Sequence, residues 1–178
     1  MIDVTLRPAT LADRAAIEQL IVESARGLSS ADYSEAQIEA AIAAVFGVDT
    51  DLIYDGTYFV AEQDGTLIGC GGWSKRKTLF GGDQFAERES GLLDPAHEPA
   101  KIRAFFVHPG WARKGVGSAL LQRCEAEARA NGFRAVELMA TLPGVKLYQA
   151  CGYVGAEQVV YVGAGVEIEF VPMRKELA

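Results

Sequence analysis

Apolar and polar residues alternate in two rhythms along the chain, one of helical spacing and one of short strands. Residues 2–7 (IDVTLR) alternate ahead of Pro8, the pattern of an opening or edge strand. Thr10 and Asp13 stand three apart, as a helix cap requires, and Ile17, Leu20 and Ile21 then fall on one helical face. Ser34 and Gln37 repeat that spacing before Ile38, Ile42, Val45 and Phe46, which predicts a second amphipathic helix stopped by Gly47. From Thr57 the period shortens. The runs TYFVAE and TLIGCGGWS, separated by QDG, predict a β-hairpin. Residues 75–99 carry mixed charge, the pair Gly81–Gly82, Pro95 and Pro99, and so little periodicity that they read as a long functional loop.

The second half is more regular. A strand is expected over 101–107 (KIRAFFV), followed by the Pro- and Gly-containing turn HPGWARKGVG. The helix SALLQRCEAEARAN comes next, with Leu120, Leu121, Cys124 and Ala128 on one face. Asn131 and Gly132 end that helix, and FRAVELMA supplies another strand. A strand, turn, helix and strand within about 40 residues make a β-α-β unit, whose two strands run parallel. After Pro143 a short helix (VKLYQAC) reaches Gly152, and two strands, YVGAEQVVYV and VEIEFVPM, close the chain. No repeat or low-complexity tract divides it, and 178 residues suit one domain, 1–178.

Composition narrows the possibilities. With 49% hydrophobic and 23% charged residues, the chain is unlike disordered, collagenous or coiled-coil sequences. No apolar run reaches the ~18 residues of a membrane span, and the N-terminus lacks the basic and apolar regions of a secretory signal. Three scattered cysteines, Cys70, Cys124 and Cys151, suit free thiols in a reducing compartment, and the cytoplasm is the expected location. Neither they nor His97 and His108 show metal-ligand spacing, so no metal site is expected. A net charge of −7 without a basic stripe argues against nucleic-acid binding and mildly favours a cationic or amine substrate.

The chemistry concentrates in ARKGVGS, set between a strand and a helix. Backbone N–H groups at a helix N-terminus lack intrahelical partners, and the helix dipole adds positive potential, so anions bind there. Gly115 and Gly117 leave room for a pyrophosphate beside Val116. Arg113 and Lys114 add charge, and Ser118 adds a hydroxyl. Other phosphate loops do not match: GxxxxGK[ST] is absent and GVG lacks the third glycine of a dinucleotide fingerprint. A tight turn with two solvated cations would have the same residues.

The run FFVHPGWARKGVGSALL resembles motif A of the GCN5-related N-acetyltransferases, (Q or R)xxGx(G or A) between a strand and a helix. The resemblance extends to LRPATLAD, to the FVAE and LIGCGGWS hairpin, to VKLYQACGY and to the closing VPMRKEL. It implies an α/β fold whose central, mostly antiparallel sheet contains one parallel, splayed strand pair flanked by helices, and it implies acetyl-CoA as donor. It also implies backbone contacts from Phe105, Phe106 and Val107 to pantetheine, although these three equally suit a core strand. The family's first Q or R falls on Ala112, with Arg113 one residue late, so pyrophosphate contact would rest on backbone amides with Arg113 or Lys114.

Tyr148, in LYQACGY, occupies the tyrosine position of the family's LYxxxGF pattern. The resemblance implies that its hydroxyl protonates the departing CoA thiolate, for which a group protonated at neutral pH is suited. Thr141 stands where family patterns often place Asn. A base must take the amine's proton, yet KIRAFFV contains no carboxylate. Glu137 and Glu62 are candidates that also read as solvated or structural groups. His108 reads as a turn residue. Trp73, Lys75, Arg76 and Lys77 form either a solvated face or a grip on phosphates or acceptor. The expectation is therefore an acetyl-CoA-dependent N-acetyltransferase acting on a small-molecule or peptide amine, with a homodimer allowed by the resemblance. The alternative is a non-catalytic acyl-CoA-binding or sensing domain.

Overall fold

The alternation ahead of Pro8 forms β1 (Thr5–Pro8), an edge strand antiparallel to β2 (Tyr58–Gln63). Pro8 itself pairs opposite Phe59, because an edge strand tolerates its missing N–H. The computed structural model describes residues 3–178, so Ile2 of the expected strand lies outside the described residues. Asp13 accepts from the Thr10 backbone N–H at 2.7 Å, and a single 3₁₀ turn leads into α1 (Arg14–Leu28), which buries Ile17, Leu20 and Ile21. Ser34 and Gln37 cap α2 (Glu35–Ala44) reciprocally, at 3.1 and 2.9 Å. That helix stops three residues short of Gly47, because the N–H groups of Val45 and Phe46 both return to the Ala41 carbonyl.

A short helix the hydrophobic pattern did not announce, α3 (Thr50–Asp55), follows and ends at Gly56 in the left-handed region, φ 74°. The hairpin of β2 and β3 (Thr66–Ser74) turns on Asp64 and Gly65, whose positive φ values of 50° and 77° suit the right-handed strand twist. The β-α-β unit consists of β4 (Ala100–Val107), α4 (Val116–Ala130) and β5 (Ala135–Thr141). After it come α5 (Val145–Ala150), β6 (Val154–Gly155), β7 (Val159–Gly163) and β8 (Val166–Glu176). The single strand expected over YVGAEQVVYV is thus two. Both pair with β8, and between their registers lies Pro172, which has no N–H for the ladder.

The sheet runs β1-β2-β3-β4-β5-β8-β6, with β7 also on β8. All pairs are antiparallel except β4 and β5. Their parallel pairing is confined to Ala100 with Val136 and Lys101 with Glu137, after which the strands part. One apolar layer joins α4 and α5 to the sheet through Leu120, Leu121, Cys124 and Tyr148. A second, on the opposite face, joins α1 and α2 through Ile17, Ile21 and Ala41. Gly69 lets α4 lie close to β3, since a Cβ there would sit 2.7 Å from Val116.

Candidate active site

The cleft opened by the parting of β4 and β5 is the centre of the candidate site. Opposite Gly71, β4 holds two residues, Ala104 and Phe105, because Cys70 pairs with Phe106 and Gly72 with Arg103. This bulge places Ala104 at φ 56°, a strained value for a residue with a Cβ. Ala104 therefore turns its carbonyl to the Tyr58 hydroxyl, 3.2 Å away, and to the Cys70 thiol at 3.6 Å. Past the bulge, the side of β4 facing β5 has no strand partner, so its backbone groups are free to meet a ligand.

At the end of β4, His108 caps a 3₁₀ turn by accepting from Gly110 N–H at 3.0 Å. The chain then passes through Arg113, φ 59°, and Gly115, φ 87°. Gly115 is the N-cap of α4 and has no side chain to satisfy the helix's first N–H groups. The amides of Val116, Gly117 and Ser118 head a 15-residue helix shortly after β4, a geometry that accepts an anion. Arg113 and Lys114 are exposed there, with Lys114 Nζ 5.1 Å from the centre of the Trp111 ring. Ser118 Oγ lies 3.7 Å from Cys151 Sγ.

Tyr148 on α5 closes the inner end. Its ring packs edge-on against Phe105 and Tyr153, with centroids 6.5 and 5.7 Å away. Burial pushes its hydroxyl well above the ordinary tyrosine range, with Cys124 and Cys151 adding to the shift. The pocket that Tyr148 lines passes through the cleft to the α2 side of the sheet and reaches the 80–82 loop. Its cavity volume is about 70 Å³.

Residues 14–153 match the model of the acetyltransferase (GNAT) family. The chain belongs to that family. Its fold is similar to a GCN5-related N-acetyltransferase from Rhodopseudomonas palustris, at TM-score 0.74 and 22% identity, covering 99% of this chain and 98% of the other. A phosphinothricin acetyltransferase of the GNAT superfamily from Sinorhizobium meliloti, solved with acetyl-CoA, gives 0.65 and 22%, covering 99% and 90%. The yncA protein of Salmonella typhimurium, solved with its cofactor acetyl-CoA, gives 0.65 and 22%, covering 99% and 95%. In sequence, no curated protein matches the chain. The mixed sheet with its splayed parallel pair is the GNAT fold expected from the sequence.

The GNAT motif residues occupy two kinds of place. Gly115, Arg113, Lys114 and Ser118 border the open turn, whereas the Val116 side chain is buried against β3 and Gly117 lies beneath Leu147, where a Cβ would come within 2.9 Å. Phe105 and Val107 pack partly buried on the α4 layer and Phe106 on the α2 layer, and Phe105 and Phe106 also line the pocket. The two carboxylates considered as bases are tied elsewhere, Glu137 to Lys101 and Glu62 to Arg7. Trp73 is core, edge-on to Phe133, and Arg76 grips Asp55 through both carboxylate oxygens at 2.7 Å. Among the described residues no group of three or more His, Cys, Asp or Glu is placed to hold a metal, and no helix is long and apolar enough to cross a membrane.

Sequence reasoning missed Arg103 and Asp49, an ion pair buried beside the pocket. A charge alternating with Ala100, Ile102 and Ala104 suggests a solvated strand face. The available signal was the strand's central place in a β-α-β unit, where both faces are covered.

Proposed function

We propose that the protein transfers the acetyl group of acetyl-CoA to an amine by direct attack, with both substrates bound together. The observation that carries this reading is the uncapped N-terminus of α4, which follows in the chain on the bulged strand β4, whose cleft Tyr148 also lines. Family membership and the acetyl-CoA bound in two of the related structures support the donor.

In this reading the amides of Val116, Gly117 and Ser118 hold the pyrophosphate, assisted by Arg113 and Lys114. The backbones of Phe105, Phe106 and Val107 bond pantetheine where β5 has diverged. The acceptor arrives with its nitrogen lone pair free and attacks the thioester carbon. A C–N bond forms, the C–S bond breaks, and Tyr148 donates a hydrogen bond and then its proton to the sulfur. The tyrosinate is disfavoured by the burial that raised its pKa, so it recovers a proton shed by the amine. No carboxylate is among the pocket-lining residues, so water carries that proton. The free thiols of Cys70, Cys124 and Cys151 suit a reducing compartment such as the cytoplasm.

The test is calorimetric binding of acetyl-CoA beside thiol release with a panel of amines. Binding with turnover supports the enzyme. No binding at high micromolar acetyl-CoA overturns the reading, and binding without turnover of any amine favours the non-catalytic sensing alternative.

A further inference from the structure

The two mouths of the cleft differ in chemistry. On the α4 side lies Tyr148, whereas on the α2 side the wall is aromatic, formed by Phe46, Phe80, Phe106 and Phe170, and is interrupted by one charged side chain, Arg103. The Arg103 side chain is only 1% exposed. Its Nη2 donates to Asp49, which is itself fully buried, and more weakly to the Gly81 carbonyl at 3.4 Å. Its Nε and Nη1, although buried, have no hydrogen-bond partner.

Asp49 does not account for those vacant donors. It is shared with Arg88, 3.3 Å away, whose outer nitrogen also reaches Asp51 at 2.8 Å. Two guanidiniums thus divide one buried carboxylate, and Arg103 lines the pocket. Unpaired N–H groups on a buried cation are costly, and natural proteins supply partners for such groups. An oxyanion is the partner that fits a guanidinium edge. Resting on the acetyl-transfer reading above, we propose that Arg103 binds the acceptor. The acceptor is then an amino-acid-like amine whose carboxylate, or equivalent oxyanion, meets the Nη1 end of the guanidinium while its apolar part lies against Phe80, Phe106 and Phe170.

This assignment reverses the mild preference for cationic substrates drawn from the net charge of −7, since the local charge of the pocket, not the total, faces the acceptor. A polyamine would set a second cation against Arg103. An amine lacking the oxyanion would leave the same donors unpaired, a loss that discriminates strongly between close analogues.

The experiment measures thiol release by the full chain with apolar α-amino acids, each beside its carboxamide and its decarboxylated amine, and with spermidine. Acetyl-CoA affinity is measured in parallel. The acids are expected to exceed their neutral and cationic analogues in kcat/KM by about 10- to 100-fold. In the double variant Arg103→Met with Asp49→Asn, which leaves no lone buried carboxylate, that preference should collapse through KM while the Kd for acetyl-CoA holds. The wild-type comparison stands even if the variant does not fold. Amides or spermidine used as well as the acids, a preference that survives loss of Arg103, or no acid turned over by an enzyme that binds acetyl-CoA, would each overturn the inference. Failure to bind acetyl-CoA would instead overturn the acetyl-transfer reading.

Discussion

The Tyr58 hydroxyl lies 3.2 Å from the carbonyl oxygen of Ala104, and this contact holds the bulge of β4 in a backbone conformation that alanine does not prefer. Tyr58 is fully buried, its ring in the α2-side core and its hydroxyl toward Ala104 and the Cys70 thiol. Without the hydroxyl the Ala104 carbonyl keeps only the weak thiol contact. Tyr58→Phe is therefore expected to lower stability by about 1 kcal/mol. It should also weaken acetyl-CoA binding severalfold as the bulge relaxes. Calorimetry and thermal unfolding check both, and unchanged affinity would show that the bulge is held by packing alone.

The elements fixed by local chemistry were readable from the residues that form them. Asp64–Gly65 needs two positive φ values and Ser34 with Gln37 forms a reciprocal cap, so each announces its element within a few positions. The turn before α4 was legible for the same reason, although the helix begins at Val116 rather than Ser118. The acceptor side was not legible. Arg103 meets Asp49 across 54 positions of sequence, and the bulge falls on Ala104, where no glycine marks it. Helix α3 has six residues, too few for an apolar period to emerge, and only Leu52 among them is buried. Long-range pairing settles all three, and hydrophobic periodicity does not record it.

Tyr148→Phe separates catalysis from binding. The phenyl ring keeps its packing against Phe105 and Tyr153, so acetyl-CoA affinity should stay within about threefold, while the rate falls by about 100-fold. Because burial raises the hydroxyl's pKa, wild-type kcat should show no loss on the alkaline side from ionisation of Tyr148 up to pH 10. An unchanged rate in the variant rules out Tyr148 as the acid.

Gly115 carries φ 87° at the head of α4, and a side chain there is disfavoured by about 1–2 kcal/mol. Gly132, with φ 90° just past the other end of the same helix, is strained equally by substitution but is remote from the phosphate turn. Gly115→Ala and Gly132→Ala should therefore lose similar stability, while only the first raises the Kd for acetyl-CoA, by tenfold or more. Equal Kd values in the two variants would remove the α4 N-terminus from the binding site.

Thiol reactivity reports on the same turn. Cys70 and Cys124 are buried, and burial pushes the Cys70 thiol up to about 12, so both should resist alkylation in the folded protein. Cys151, half-buried beside Ser118, should react first and be protected by CoA. Mass spectrometry after brief alkylation reads the site directly. Modification of Cys151 at the same rate with and without saturating CoA would place the ligand away from Ser118.

The acid limb of stability follows from Arg7, which bridges Asp13 and Glu62 between β1, β2 and the start of α1. Its hydrogen bonds hold the Asp13 carboxyl down at about 2, against about 3.9 in an unfolded chain. A carboxylate depressed on folding stabilises the protein in full above its unfolded pKa. The contribution then fades as the pH falls from about 4 towards 2. Because Arg7 is 34% exposed, water screens the pair and the gain is about 1 kcal/mol. Asp13→Asn should accordingly lower stability by that amount at pH 7, and the difference from wild type should shrink progressively below pH 4. Urea unfolding at pH 7, 4 and 3 measures it. A gap that stays constant across the three would show that the loss does not come from the charge of Asp13.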